Sequence, residues 1–260
     1  MVYFFTLPPV PWPYVLINLN NPNIRYVLKY HKYIRAIIID SGVEIFRNPD
    51  RFDYDGGFVE QLRRGLTLRD RIRRILRGVP IFLTIPDYCD DYRPYGLWLD
   101  DYDNIFRTLD SIMYALDKEP YRYYLIPIQG YNELPDSIEK SLEYLEAYGV
   151  LKTHKYYAVA NLCVSRRVKT IVETLRIARA WLKNKHIHAF GISLRALRRA
   201  KNLINSFDSM AWTRPVNIRL LKANWSAKNK AERIKFFYAW VNRLYEILGE
   251  KYEATKTYRL

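Results

Sequence analysis

Several apolar runs in this sequence end in an acid or an amide. Asp40 closes the run AIII and is followed by Ser41 and Gly42. Asp87 follows IFLTIP, with Asp90 three residues further on. Asp208 closes NSFD, and Gln129-Gly130 follows YLIPI. Two further runs end at Asn161-Leu162 and at Gly191. Carboxylates that share one pocket are the groups of proton transfer and of covalent attack. A buried carboxylate also loses hydration without any packing gain, so a purely structural element has little use for several of them.

Duller roles compete at each position. Aspartate is favoured at helix N-caps, which would account for single acids but poorly for the whole set. His31, His154, His186 and His188 show no ligand spacing and read as structural. The 186/188 pair shares one face of a short strand, which is not by itself a metal site. Cys89 and Cys163 are the two cysteines, and neither belongs to a CxxC pair. They read as inert thiols in a reducing, cytoplasmic setting. No metal is expected, since two thiols cannot supply the three or four cysteine ligands of a zinc site, and no cofactor is expected.

The positions of these residues imply the scaffold. Candidate strands are 14–19, 36–39, 81–85, 123–128, 156–160, 187–192 and 206–211. The central ones are apolar without alternation, as in parallel strands covered on both faces. Helical patterns fill the intervals at 59–76, 104–116, 137–147, 167–182 and 194–204, with Asp136 and Glu139 as a capping arrangement for the third. Strand alternating with helix gives βαβ units. Seven or eight such units predict an α/β (β/α)8 TIM-like barrel, whose chemistry sits just past the carboxyl ends of the strands. Residues 1–225 read as the barrel. Residues 226–260 read as a helical extension, in which Phe236, Phe237, Trp240, Leu244 and Leu248 form barrel cover or a dimer face.

Lys and Arg number 42 against 27 acids, a formal charge of +15. Eleven basic residues lie between Val164 and Ile204 against one acid, and seven arginines between Arg63 and Arg77. Six aspartates cluster between Asp87 and Asp103. This balance favours a polyanionic partner, nucleic acid before membrane. No run approaches the roughly 18 apolar residues of a membrane span, and the proline-broken start lacks the basic segment of a signal peptide.

In order along the chain, the strand ends resemble those of the tRNA-guanine transglycosylases and their DNA-modifying 7-deazaguanine relatives. The matching segments are DSG at Asp40–Gly42, IPD at Asp87, QG at Gln129-Gly130, YAVANL, IHAFGIS at Gly191, and FDSMAWTR with Asp208, Thr213 and Arg214. The resemblance spans about Ile34 to Pro215. It departs from the family after Gly42, where Val43, Glu44 and Ile45 stand in place of Gly-aromatic-Gln, and at Ala160-Asn161 in place of two glycines. The three-cysteine zinc subdomain of the tRNA-acting members is missing.

The resemblance implies pentosyl transfer with exchange of guanine for a 7-deazaguanine-type base on DNA or RNA. Asp208 would be the nucleophile, Asp40 the general acid and base, and Arg214 a cationic neighbour or phosphate ligand. Asp87, or Asp90 in its stead, would read the amino edge of the base. Gln129, with the backbone at Asn161 and Leu162, would read its carbonyl oxygen, and Phe46 or Tyr88 would replace the family's stacking aromatic. Ser41, Gly42, Gly130 and Gly191 would shape the pocket. The substituted residues leave two alternatives open: hydrolysis of the same bond, and a degenerate barrel that only binds nucleic acid.

Overall fold

Eight parallel strands close in sequence order into one barrel. They are β1 (Val2–Thr6), β2 (Tyr14–Asn18), β3 (Ala36–Asp40), β4 (Ile81–Thr84), β5 (Tyr124–Ile128), β6 (Tyr156–Val159), β7 (His186–Ala189) and β8 (Ser206–Asp208). The computed structural model describes residues 1–48, 50–89, 103–131, 133–163, 165, 167–213 and 229–249. Closure is made by β1 against β8, with Phe4 opposite Asp208. The protein is therefore a TIM-like α/β barrel.

One strand is absent from the sequence reading. VYFFT at the start lacks a preceding turn signal and abuts a proline-rich segment, so nothing local marks it as β1. Its pairing with β2 and with β8, the latter some two hundred residues away, makes it a strand. The other strands fall where their apolar runs lie, mostly trimmed by a residue or two.

Outside the strands run α1 (Ile24–Tyr30), α2 (Gly57–Ile75), α3 (Asn104–Lys118), α4 (Ile138–Ala147), α5 (Val150–Thr153), α6 (Val168–Leu182), α7 (Leu194–Ala200) and α8 (Lys230–Leu248). The main core lies between this layer and the strands, with Ile37, Ile39, Ile126, Ile128, Tyr157 and Phe207 fully buried. Each such aliphatic side chain contributes about 1.5–3 kcal/mol by leaving water. A smaller cluster of Phe4, Leu16, Ala36, Ile38, Leu125 and Ala158 fills the barrel interior. Alternation along the strands puts Asp40 on the same inward face as Ala36 and Ile38, and Asp208 on that of Ser206.

One local expectation is corrected. Asp136 does not cap α4; Pro135–Ser137 form a 3-10 turn that runs straight into the helix without a side-chain cap. Ser137 is helical and its hydroxyl instead donates to the Leu134 carbonyl at 2.6 Å and receives the Tyr131 amide at 2.7 Å. Of the two roles expected for the C-terminal helix, α8 takes that of barrel cover: the Phe237 and Trp240 rings lie 4.9 and 5.4 Å from that of Phe5. Among the described residues no helix is long and apolar enough to cross a membrane.

Candidate active site

At the carboxyl end of the strands, a cavity of about 110 Å³ is lined by Asp40, Asp87, Asp208, Glu44, Phe190 and Cys163, among others. Asp40 ends β3, Asp208 ends β8, and Asp87 lies three residues past β4. Strands β3 and β8 are separated around the barrel by β1 and β2. Only closure brings their terminal acids to one space. None of the three acids is the N-cap of a described helix. That role falls to Asp103 on α3, where its carboxylate accepts from the Ile105 amide.

Asp87 is 3% exposed and held at both oxygens. The Ser41 hydroxyl donates to Oδ1 at 2.6 Å, and the Gln129 amide donates to Oδ2 at 2.6 Å. Burial pushes its carboxyl up to about 6, against the opposing pull of those two hydrogen bonds. The Ser41 backbone is itself fixed, because the Gln61 amide of α2 donates to its carbonyl at 2.6 Å. Gly42 takes a φ of +87°, and the Asn20 amide donates to its carbonyl at 2.8 Å and to Glu44 Oε1 at 3.1 Å. A Cβ there would lie 2.4 Å from Asn20 Nδ2, so this turn requires glycine.

Asp40 carries a raised carboxyl as well. Burial raises it well above the usual carboxylate range, and the nearby charges of Glu44, Asp87 and Asp208 push in the same direction. Two or more acids around one small cavity favour at least one neutral carboxyl at physiological pH. That is the state required of a proton donor.

Asp208 is held from its own side of the barrel. The Gly191 amide, just past β7, donates to its Oδ1 at 2.9 Å. His188 Nε2 lies 3.4 Å from the same oxygen. Gly191 has φ +62°, and a Cβ on it would stand 2.5 Å from Cys163 Cβ. Gly191→Ala is expected to cost roughly 2 kcal/mol or more, combining left-handed strain with the clash. Gly78→Ala, at φ +77° with nothing within 4 Å, should cost only about 1 kcal/mol. Urea denaturation of the two variants measures the difference.

The structure redistributes several sequence-derived assignments. Asp40, Asp87, Asp208, Gly191 and Ala160 meet at the cavity, and Ser41 and Gln129 reach it through Asp87. Gln129 donates its amide to Asp87, so it is not free to read a base oxygen in this arrangement, and its Oε1 is buried without a hydrogen-bond partner. Gly130 is packed where a Cβ would meet Ile138 and Ser137. Leu162 is a core side chain at 2% exposure, whereas Asn161 is buried with its Oδ1 unpartnered. Asp90 and Arg214 lie outside the described residues.

Phe46 and Tyr88 do not flank an open slot. They stack on each other at 5.6 Å in a buried cluster with Tyr54. The Tyr54 hydroxyl donates to the Asp87 carbonyl at 2.6 Å, so this aromatic cluster buttresses the acid. Phe190 is the ring that lines the cavity. Cys163 is exposed and Cys89 buried.

Several residues of the basic runs are engaged within the chain itself. A helix of this fold runs from the carboxyl rim back to the opposite end, so only its first turn faces the site. Arg179 lies well down α6, where its guanidinium ties together the carbonyls of Leu203, Lys183 and Lys185. Lys201 and Lys185 bind the carbonyls of Ile247 and His154. On α2, Arg63 pairs with Glu60 and Arg69 with Asp70. A better cationic surface escaped the sequence reading because its members are far apart in the chain. A groove of about 440 Å³ is lined by Arg25, Lys29, Lys230 and Arg233 with Tyr26 and Tyr30. Leu7–Pro9, just past the end of β1, forms its wall, which places it on the same end of the barrel as the acids.

His188 is the other residue the sequence undervalued. Read as structural, it is fully buried beneath Asp208. The available signal was its period-two spacing from Phe190 and His186 on an inward strand face. Among the described residues, no group of three His, Cys, Asp or Glu side chains could hold a metal ion. No protein-family model matches the chain, and no curated protein matches its sequence.

Proposed function

We propose that this barrel is a nucleic-acid base transglycosylase, exchanging guanine for a 7-deazaguanine-type base through a covalent aspartyl-glycosyl intermediate. The observation that carries the reading is the meeting of Asp40 and Asp208 at one strand-end cavity, with the carboxyl of Asp40 raised by burial and by its acidic neighbours. The ordered strand-end motifs, which resemble those of the guanine transglycosylases, supply the reaction type.

The chemistry follows from two unlike acids. Asp208 attacks the anomeric carbon as a carboxylate, and the bond from that carbon to the base breaks. The electron pair of that bond goes to the departing ring, which takes the proton of Asp40. In the second half, the ionised Asp40 removes a ring N–H proton from the incoming base. The ring nitrogen then attacks the same carbon and releases Asp208, restoring both acids and retaining configuration. Asp87, clamped by Ser41 and Gln129, is the carboxyl placed to meet the edge of the base.

A base inside a duplex is out of reach of a cavity this small, so the nucleotide must be extruded or already single-stranded. The groove of Arg25, Lys29, Lys230 and Arg233 suits the flanking phosphates, and its tyrosines suit an unstacked base. Replacing Arg25 and Arg233 together with alanine is expected to weaken binding of single-stranded DNA or RNA and to lower the slope of log affinity against log salt by about two. An unchanged slope would remove the groove from the interface.

The test of the activity is incubation of the protein with single-stranded and duplex DNA and RNA and labelled guanine or a deazaguanine. Label in the polymer supports exchange. Abasic sites without label mean hydrolysis instead, and salt-sensitive binding with neither product reduces the protein to a binding module.

A further inference from the structure

Asp208 is the upper end of a file of polar side chains that runs down the inside of the barrel. Below it lies His188, 3.4 Å away through Nε2. His188 Nδ1 lies 2.9 Å from the Ser206 hydroxyl. His186 Nε2 lies 2.7 Å from that same hydroxyl. His186 in turn lines a groove at the opposite end of the barrel, together with Lys152, Lys155, Lys183, Lys185 and Trp181. Such polar groups are costly inside a barrel unless they satisfy one another.

With both rings neutral, hydrogen counting gives the file one direction. Ser206 has one hydroxyl hydrogen and two imidazole nitrogens within reach, so it donates to one ring and accepts from the other. If a neutral His188 donated through Nδ1, its bare Nε2 would aim a lone pair at the Asp208 carboxylate. The reverse order gives the other ring nitrogens and the hydroxyl their partners and aims the remaining hydrogen at the carboxylate. His186 Nε2–H donates to Ser206, Ser206 O–H donates to His188 Nδ1, and His188 Nε2–H points at Asp208 Oδ1.

We infer that His186, Ser206 and His188 form this directed hydrogen-bond file, and that His188 is a positioning residue that holds the Asp208 carboxylate from behind. The 3.4 Å contact is the loose member, and His188 Nε2 makes no full hydrogen bond as it stands. Contacts of this kind commonly tighten when substrate binds. The Phe4 and Phe190 rings, 5.8 and 4.6 Å from the imidazole, wall His188 off from water. Around His186 stand Tyr156 and Arg179, with the groove lysines and Glu146 beyond. Burial foremost, with the neighbouring His188 ring and the Arg179 guanidinium acting the same way, brings His186 down to about 4, so it is neutral at pH 7 and free to donate one N–H.

The catalytic consequence rests on the proposed exchange reaction, but the file itself does not. Two-dimensional ¹⁵N–¹H spectra of the histidine rings at pH 7, assigned with His186→Gln and His188→Gln, read the tautomers without any substrate. Both rings are expected as Nε2–H, and Ser206→Ala should convert His186 to a tautomer mixture while the protein stays folded. An Nδ1–H tautomer at His188, or a His186 signal indifferent to Ser206→Ala, overturns the file. On an active preparation, His188→Phe should lower kcat about 10²-fold with little change in KM, and His188→Gln, which keeps a donor toward Asp208, should restore most of it. Equal kcat values for the two variants would overturn the positioning role.

Discussion

Asp208→Asn is expected to abolish incorporation of labelled guanine, with a loss of at least about 10³-fold, while leaving the fold intact. Asparagine keeps the volume and one oxygen that can still accept the Gly191 amide, which in the wild type donates to Asp208 Oδ1 at 2.9 Å. What it loses is the nucleophile. A covalent adduct between protein and nucleic acid, seen by intact mass in the wild type, should vanish in this variant. Unchanged incorporation by Asp208→Asn sinks the mechanism, because no other group would then be needed at the anomeric carbon. Retained nucleic-acid binding by the same variant separates the chemistry at the cavity from the phosphate contacts of the Arg25–Arg233 groove.

The second large effect is on stability, and its sign is opposite to intuition for a conserved-volume acid-to-amide change. Asp87 has its carboxyl raised to about 6 by burial, against about 3.9 in an unfolded chain. A group whose folded value is raised contributes stability that is fully present below the unfolded value and is lost as pH rises through the folded value. Between pH 4 and pH 7, wild-type stability should therefore fall relative to Asp87→Asn. The amide can satisfy both neighbours, accepting from Gln129 and donating to Ser41. The gap at pH 7 is expected to be of the order of 1–3 kcal/mol in favour of the variant.

Asp40→Asn should act in the same direction, since its carboxyl is raised as well. Removing the Asp87 charge also relieves Asp40, so the variant retains a weaker dependence of its own. His186 opposes this trend. Its lowered value means stability is gained as pH rises from about 4 towards 6.5, so the difference between wild type and variant is diagnostic rather than either curve alone. Denaturant titrations at three pH values read it. A variant less stable than wild type at pH 7 would mean that Asp87 makes a net favourable charged interaction and is not a strained acid. Under the proposed mechanism, stability and activity thus pull apart at this rim.

The sequence alone determined the class of fold. Non-alternating apolar runs such as AIII, IFLTI and YLIPI require cover on both faces, and the helical patterns between them provide it, which leaves a parallel sheet. It also located the acids at strand ends, because period-two alternation is a local property: Asp40 must face where Ala36 and Ile38 face. Closure decided the rest. VYFFT became β1 by pairing with β2 on one side and β8 on the other, and the second pairing sets Phe4 beside Asp208. Chain-local patterns carry no information about a partner some two hundred residues away.

The same reason explains the other differences. The Ser41–Asp87–Gln129 clamp joins the ends of three strands, and Phe46 and Tyr88 turned from candidate base contacts into a buried stack. Arg179 belongs to a basic run of the sequence, and it sits at the far end of α6, tying backbone carbonyls. His188 carried no motif of its own. Its place under Asp208 arises because β7 and β8 are neighbours in register, His188 opposite Ser206, which fixes the side chain on the inward face one layer below the acid. Residue types and their periodicity were enough to say which groups could react; only the three-dimensional arrangement of strands decides which of them share a cavity.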